Sequence, residues 1–178
     1  MKHRSIALVL PLALFLSAAA LADAPPQSGE RRGVIDEPAP DLELPDLDGN
    51  LVSLRSFPGK IVVYDFWAVW CGPCVDSLPF LQELEDRYRD EGLVVVGLHV
   101  DDNVPSVEEV QAFLDEHGAR YVNLLSTVEA DEAFRIFAMP TTYITDREGL
   151  VRMRHIGFNP SRTPERLENE VRELLGLQ

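Results

Sequence analysis

A nearly unbroken apolar run, Lys60 to Trp67, leads within a few residues into Cys71-Gly72-Pro73-Cys74 and from there into a helical pattern. The run is rich in Val and aromatic residues, as expected of a central parallel strand buried on both faces. From Cys74 to Arg89 the apolar residues Leu78, Leu81, Leu84 and Tyr88 recur at helical spacing, so a helix follows the strand directly. This junction confines the chain to an α/β architecture and sets the first sulfur at a helix N-terminus.

The remaining pattern completes that architecture. Leu42 to Leu44 and Leu51 to Leu54 flank the turn signal Asp48-Gly49-Asn50 and predict a small hairpin before the main fold. Leu93 to Val100 reads as a second buried strand. Ser106-Val107-Glu108-Glu109 is a capping box, and Val110, Phe113, Leu114 and His117 form one face of the helix it starts. Tyr121 to Leu125 predicts a strand, and Ala133, Phe134 and Phe137 a short helix. Thr141 to Thr145 and Leu150 to His155 pair across Asp146-Arg147-Glu148-Gly149. Thr163 is the expected cap of a last helix, with Pro164 at its first position and Leu167, Val171, Leu174 and Leu175 on its buried side. With 46% hydrophobic and 26% charged residues, the chain has an ordinary globular balance that suggests neither disorder nor a fibrous repeat.

The N-terminus carries a different signal. Met1-Lys2-His3-Arg4 is basic, Ile6 to Leu16 is apolar, and Ala20-Leu21-Ala22 supplies small residues at a cleavage site, so residues 1–22 read as a secretory signal peptide. An uncleaved anchor is the alternative. Ile6 to Leu21 falls short of the roughly 17 residues a spanning helix needs, and Pro11 interrupts it. Residues 23–40, rich in proline and charge, are expected to be a flexible leader, with the domain occupying 41–178. Cleavage after Ala22 removes Lys2 and Arg4 and takes the net charge from −14 to −16. Nucleic acid and anionic membrane surfaces are poor partners for such a chain. The chain is expected to be monomeric.

The only two cysteines are Cys71 and Cys74. A structural disulfide stabilises by closing a long loop, and one that spans two intervening residues removes little chain entropy. The pair is therefore redox-active or metal-binding. A closed zinc site needs two further ligands, and there is no second cysteine pair. His99, His117 and His155 fall in or beside regular elements and read as structural or solvent-facing. A helix N-terminus lowers a thiol pKa, which makes Cys71 the expected nucleophile. Cys74, inside the first turn and shielded, is the expected resolving thiol. Asp65 is an acid inside Ile61-Val62-Val63-Tyr64-Asp65-Phe66-Trp67. Burying an unpartnered carboxylate costs several kcal/mol, so Asp65 is either kept for chemistry or satisfied by a structural hydrogen bond. Asp76 reads as a solvated first-turn acid.

Asp65-Phe66-Trp67-Ala68-Val69-Trp70-Cys71-Gly72-Pro73-Cys74 resembles the active site of thioredoxins. The hairpin Asp46 to Leu54, Phe57-Pro58-Gly59-Lys60, Pro79, Val94 to Asp101, and Met139-Pro140-Thr141-Thr142 with Asp146 and Gly149 extend the likeness to the exported TlpA/ResA-like branch. The resemblance implies a thioredoxin fold, a mixed sheet with helices on both faces and an added N-terminal hairpin. It also implies a periplasmic thiol-disulfide oxidoreductase that needs no cofactor or metal and acts on protein disulfide clients. An upstream membrane or periplasmic thiol protein would donate its electrons. By the same likeness Pro140 is a cis proline, Met139 offers its backbone to an extended client, and Trp70, Gly72 and Pro73 line the client-binding surface. Gly72-Pro73 matches thioredoxins, whose potential near about −270 mV makes them reductants. Cytochrome c maturation and metallocentre assembly are the roles the branch suggests.

Asp65 matches the acid that moves protons for the buried cysteine in thioredoxins. The TlpA/ResA-like pattern often has Asn there and a Glu three residues after the second cysteine, where this chain has Ser77. The acid has changed places, which favours Asp65. Exported copper-delivery modules resemble a Cys-x-x-x-Cys pattern with a distant His, and this chain departs from it. Related peroxidases place Thr or Ser three residues before the reactive cysteine, where this chain has Ala68.

Overall fold

The structure is a computed structural model that describes residues 36–100 and 106–177. The expected signal segment and most of the expected leader lie outside the described residues. A six-stranded sheet is built from β1 (Glu37–Pro38), β4 (Ile61–Trp67), β5 (Leu93–His99), β6 (Val122–Leu125), β7 (Thr141–Thr145) and β8 (Leu150–Ile156), in the order β1-β8-β7-β4-β5-β6. Strands β4, β5 and β6 are mutually parallel, whereas β7 and β8 run antiparallel to their neighbours. A separate hairpin joins β2 (Glu43–Pro45) to β3 (Leu51–Ser53), as the Asp48-Gly49-Asn50 turn predicts. The helices are α1 (Gly72–Tyr88), α2 (Val107–Glu116), α3 (Val128–Ala133) and α4 (Thr163–Leu175).

β4 sits at the centre with every residue buried, because its two faces are apolar for different reasons. Ile61, Val63 and Trp67 join a cluster with Leu78, Leu81 and Leu84 of α1, Val110 and Leu114 of α2, and Leu167 and Val171 of α4. Val62, Tyr64 and Phe66 pack on the other side with the β2–β3 hairpin through Leu44, and with Ala130 and Phe134. A sheet covered on both faces needs this near-continuous hydrophobic strand rather than an alternating one. The capping box at α2 forms as expected, with Glu109 N donating to Ser106 Oγ and Ser106 N donating to Glu109 Oε2.

Three local expectations shift. The sheet begins before Asp41, since Glu37 and Pro38 pair with Val151 and Leu150 and Arg152 binds Asp36. The short helix lies over Val128–Ala133, earlier than Phe137, because Thr127 caps it by accepting from Ala130 N. Arg135, at φ 53°, turns the chain out of it, and Phe137 is left exposed. Thr163 is the first residue of α4 rather than its cap, and its hydroxyl accepts from Asn159 N.

Candidate active site

Cys71 is the N-cap of α1, with φ −90° and ψ 98°, and its sulfur is bonded to that of Cys74 at 2.07 Å. No side chain caps this helix, so the first-turn N–H groups face the sulfurs' end of α1 without a competing side-chain acceptor. Pro73 is accommodated there because the first turn has no intrahelical use for its missing N–H. Cys71 is 5% exposed and Cys74 0%, the ordering expected of an outer and an inner sulfur. Beside them Trp70 is 66% exposed, and Gly72 and Pro73 are also at the surface.

Met139–Pro140 is a cis peptide bond. Its loop is braced on both sides, by Thr141 Oγ1 donating to Ala138 O at 2.7 Å and by Gly157 N donating to Pro140 O at 2.7 Å. Met139 packs on the cluster that contains both cysteines, while Pro140 is buried. The structure thus gathers Cys71, Cys74, Trp67 and Met139 around one cluster.

Asp65 is fully buried on β4. Burial pushes its carboxyl up to about pKa 7, against the neighbouring hydroxyls of Thr142 and Ser77, which pull it down. Thr142 Oγ1 donates to Asp65 Oδ1 at 2.8 Å, and Oδ2 has no hydrogen-bond partner. Ser77 of α1 carries the second hydroxyl that acts on this carboxyl. Its hydroxyl donates to Cys74 O at 2.7 Å while its influence on Asp65 is the weaker of the two. A buried acid that titrates near neutrality, with one oxygen unengaged, can accept and return a proton.

Strand register extends this site across the sheet. Asp65 is opposite Thr142 on one side and Gly97 on the other, Thr142 is opposite His155, and Gly97 is opposite Asn123. Residues directly opposite share a face, so these five form one row. At one end His155 Nε2 meets Glu170 Oε2 at 2.6 Å. At the other, Asn123 Oδ1 accepts from Trp67 Nε1 at 3.0 Å and its amide donates to Tyr121 O at 3.0 Å. Gly97 makes room for this contact, since a Cβ there would lie 2.1 Å from Asn123 Oδ1. Trp67, held so, stacks on Phe113 and meets the edge of His99.

No sequence signal marks the contacts that Thr142 and Asn123 make along this row, nor the one that Ser77 makes with Cys74. Glycine inside an apolar strand signals a close approach, so Gly97 carried a legible cue. Asp76 lies at the surface of α1. Among the described residues no three His, Cys, Asp or Glu side chains are grouped to hold a metal ion. None of the described helices is long and apolar enough to cross a membrane.

A thioredoxin-like sheet presenting a close cysteine pair at a helix N-terminus defines a thiol-disulfide oxidoreductase. Residues 35–171 match the Redoxin family, and the chain belongs to it. It is similar to the thioredoxin-like protein YneN of Bacillus subtilis (strain 168), at 34% identity over 119 residues that cover 67% of this chain and 69% of that protein. The thiol-disulfide oxidoreductase ResA of Bacillus cereus (strain ATCC 10987 / NRS 248) is 27% identical over 148 residues, 83% of this chain and 82% of its own. Among solved structures, a putative thiol:disulfide interchange protein DsbE from Chlorobium tepidum superposes with a TM-score of 0.72 at 32% identity, covering 79% of this chain and 97% of that one.

Proposed function

We propose that this protein reduces disulfides of exported client proteins in the periplasm, with Cys71 as nucleophile, Cys74 as resolving thiol and Asp65 as the proton acceptor. The observation that carries the reading is the placement of a fully buried carboxyl, pushed up to about pKa 7, on the strand that leads into the cysteine pair.

In the reduced form the Cys71 thiolate attacks one client sulfur, the client S–S bond breaks, and a mixed disulfide forms as one client thiolate leaves. Asp65 takes the Cys74 proton. The Cys74 thiolate then attacks Cys71 Sγ, closing the 71–74 bond and releasing the second client thiolate, which is protonated. Two electrons pass from the pair to the client, and an upstream thiol protein restores them by the same exchange. The braced Met139–Pro140 loop and the exposed Trp70 form the client's contact surface, with Gly72 and Pro73 between the sulfurs. The N-terminal segment 1–22 supplies export, and the residues from Asp23 up to the first strand at Glu37 lead into the domain.

The test is trapping in cells. Cys74→Ser is expected to accumulate mixed disulfides through Cys71, and Cys71→Ser to trap little. Equal trapping by both would reverse the assignment of nucleophile. A measured potential far above the glutathione range would make the protein an oxidant. Stoichiometric copper on the reduced pair, without reductase activity, would make it a delivery module.

A further inference from the structure

The chain is strongly acidic, with 30 Asp and Glu against 16 Lys and Arg, yet the groove beside the cis-proline loop is lined by arginines. It runs along the end of β8 to the start of α4, has a volume of about 390 Å³, and is bordered by Arg154, Ile156, Asn159, Arg162 and Arg166. Its position is fixed to the redox site by two contacts. Ile156 is in register with Thr141, and Gly157 N donates to Pro140 O. The Phe158 ring meets Phe80 of α1 at 6.0 Å, which ties the same loop to the helix that carries the cysteines.

The positive charges of this groove are only partly used. Arg166 binds Glu170, which His155 also engages. Arg162 has no carboxylate partner among the described residues, nor has Arg154. Arg154 Nε is buried without a hydrogen-bond partner, and one of its terminal nitrogens donates to Arg135 O. Its guanidinium lies over the rings of Phe137 and Tyr143, at 4.9 and 5.4 Å from their centroids. Stacking of this kind presents a guanidinium in a fixed plane for carboxylate recognition. Phe137 is 73% and Ile156 51% exposed, so apolar surface flanks the charge.

We propose that the Arg154–Arg162–Arg166 groove takes an acidic segment of the client polypeptide next to the client's disulfide-bonded cysteine, so that charge selects the client alongside the disulfide. This rests on the disulfide-exchange reading above. An extended acidic peptide fits because its carboxylates meet the Arg162 guanidinium, which no carboxylate holds among the described residues, with Arg166 and Arg154 beside it, while the rest of this acidic surface repels it.

The experiment uses the reduced protein in single turnover at low salt with three substrates. Two are disulfide peptides that differ only in a run of Glu or Gln beside the cysteine, and the third is hydroxyethyl disulfide, which is uncharged and reports the dithiol itself. The Glu peptide is expected to react roughly threefold faster than the Gln peptide, the scale of one exposed charge-assisted contact, with the preference fading as salt is raised. Arg162→Glu, an exposed substitution checked for folding by thermal melt, is expected to abolish the preference, and Arg162→Gln to reduce it. No preference in the wild type, a preference that survives Arg162→Glu, or a variant that slows hydroxyethyl disulfide just as much would overturn the proposal. If the wild type reduces none of the three, the exchange reading fails. Calorimetric binding of the Glu peptide by wild type and by Arg162→Glu then decides the groove by itself, binding lost in the variant supporting it and equal binding refuting it.

Discussion

Two aspartates, one inside the central strand and one at the β7–β8 hairpin turn, are treated in opposite ways. Burial pushes Asp146 up, but the Leu150 N–H, the Arg152 guanidinium and the Glu148 N–H outweigh it and hold the carboxyl below its usual range. Arg152 Nε donates to Oδ2 at 2.5 Å, and the N–H groups of Leu150 and Glu148 donate to Oδ1 at 2.9 and 3.0 Å. Asp65 has one strong donor, one unengaged oxygen and no cation, and it rises to about pKa 7. Asp146 closes a hairpin turn and stays ionised. Asp65 is, in the proposed mechanism, the acid that exchanges a proton. What separates the two carboxyls is the number of donors their neighbours supply together with depth, Asp65 being wholly enclosed and Asp146 lying at the rim of the sheet.

The largest expected effect comes from removing Asp65, the proposed proton acceptor. Asp65→Asn is expected to slow resolution by Cys74 about 10² to 10⁴-fold near pH 7, with the first attack by Cys71 changed much less, in rapid-mixing reduction of a disulfide peptide. Its stability should move the other way. A carboxyl raised from about 3.8 to about 7 on folding makes the folded state bind the extra proton, so wild-type stability is full below pH 4, falls between about 4 and 7, and stays low above. The shift corresponds to a ceiling on the order of 4 kcal/mol. The Asn variant should therefore melt higher than wild type at pH 8 and close to it at pH 4. An Asn variant that resolves at the wild-type rate would leave Asp65 structural.

Asp146→Ala sharpens the contrast from the opposite side. It strands two backbone N–H groups and one guanidinium, and is expected to cost about 2 to 3 kcal/mol in a denaturant melt at pH 7, with no change in the rate of resolution. The sign of its pH dependence is inverted relative to Asp65. The stability Asp146 contributes is present above its unfolded pKa, near 3.9, and is lost as pH falls through its lower folded value. Gly97→Ala tests the far end of the row. Its Cβ would displace Asn123 from Trp67 Nε1, at an expected cost of about 1 to 3 kcal/mol, and an Asn123→Ala background should remove most of that cost.

The same contrast marks what the sequence carries openly. Asp65 stands out because an acid interrupts an apolar run, and the cysteine pair because its spacing has few uses, both visible within a dozen residues of chain. The fold's strands and long helices are legible for the same local reason, their periodicity. What supplies or withholds donors is not local. Thr142 reaches Asp65 only because β7 pairs with β4, and Asn123 reaches Trp67 only because β6 closes over Gly97. The first strand escapes notice on similar grounds. Glu37 and Pro38 are exposed and have no apolar pattern, and they are ordered by pairing with β8 far along the chain.

The smallest effect is the most discriminating. Thr142→Val keeps the shape of the side chain and removes the hydroxyl that Asp65 Oδ1 accepts from. That hydrogen bond favours the ionised carboxyl, so its loss raises the Asp65 pKa further. In the proposed mechanism the resolution step needs Asp65 ionised to take the Cys74 proton. Its rate-against-pH curve should keep the wild-type plateau at high pH while its midpoint moves upward from about 7. Stability at pH 8 should fall by about 1 kcal/mol, the net worth of one buried hydrogen bond. A threonine that served only packing would lower the melting temperature without moving the midpoint, and a dithiol that used some other base would show neither the moved midpoint nor the lost plateau of Asp65→Asn. Measuring both variants across pH 6 to 9 therefore separates a carboxyl tuned by how few donors surround it from one that is merely buried.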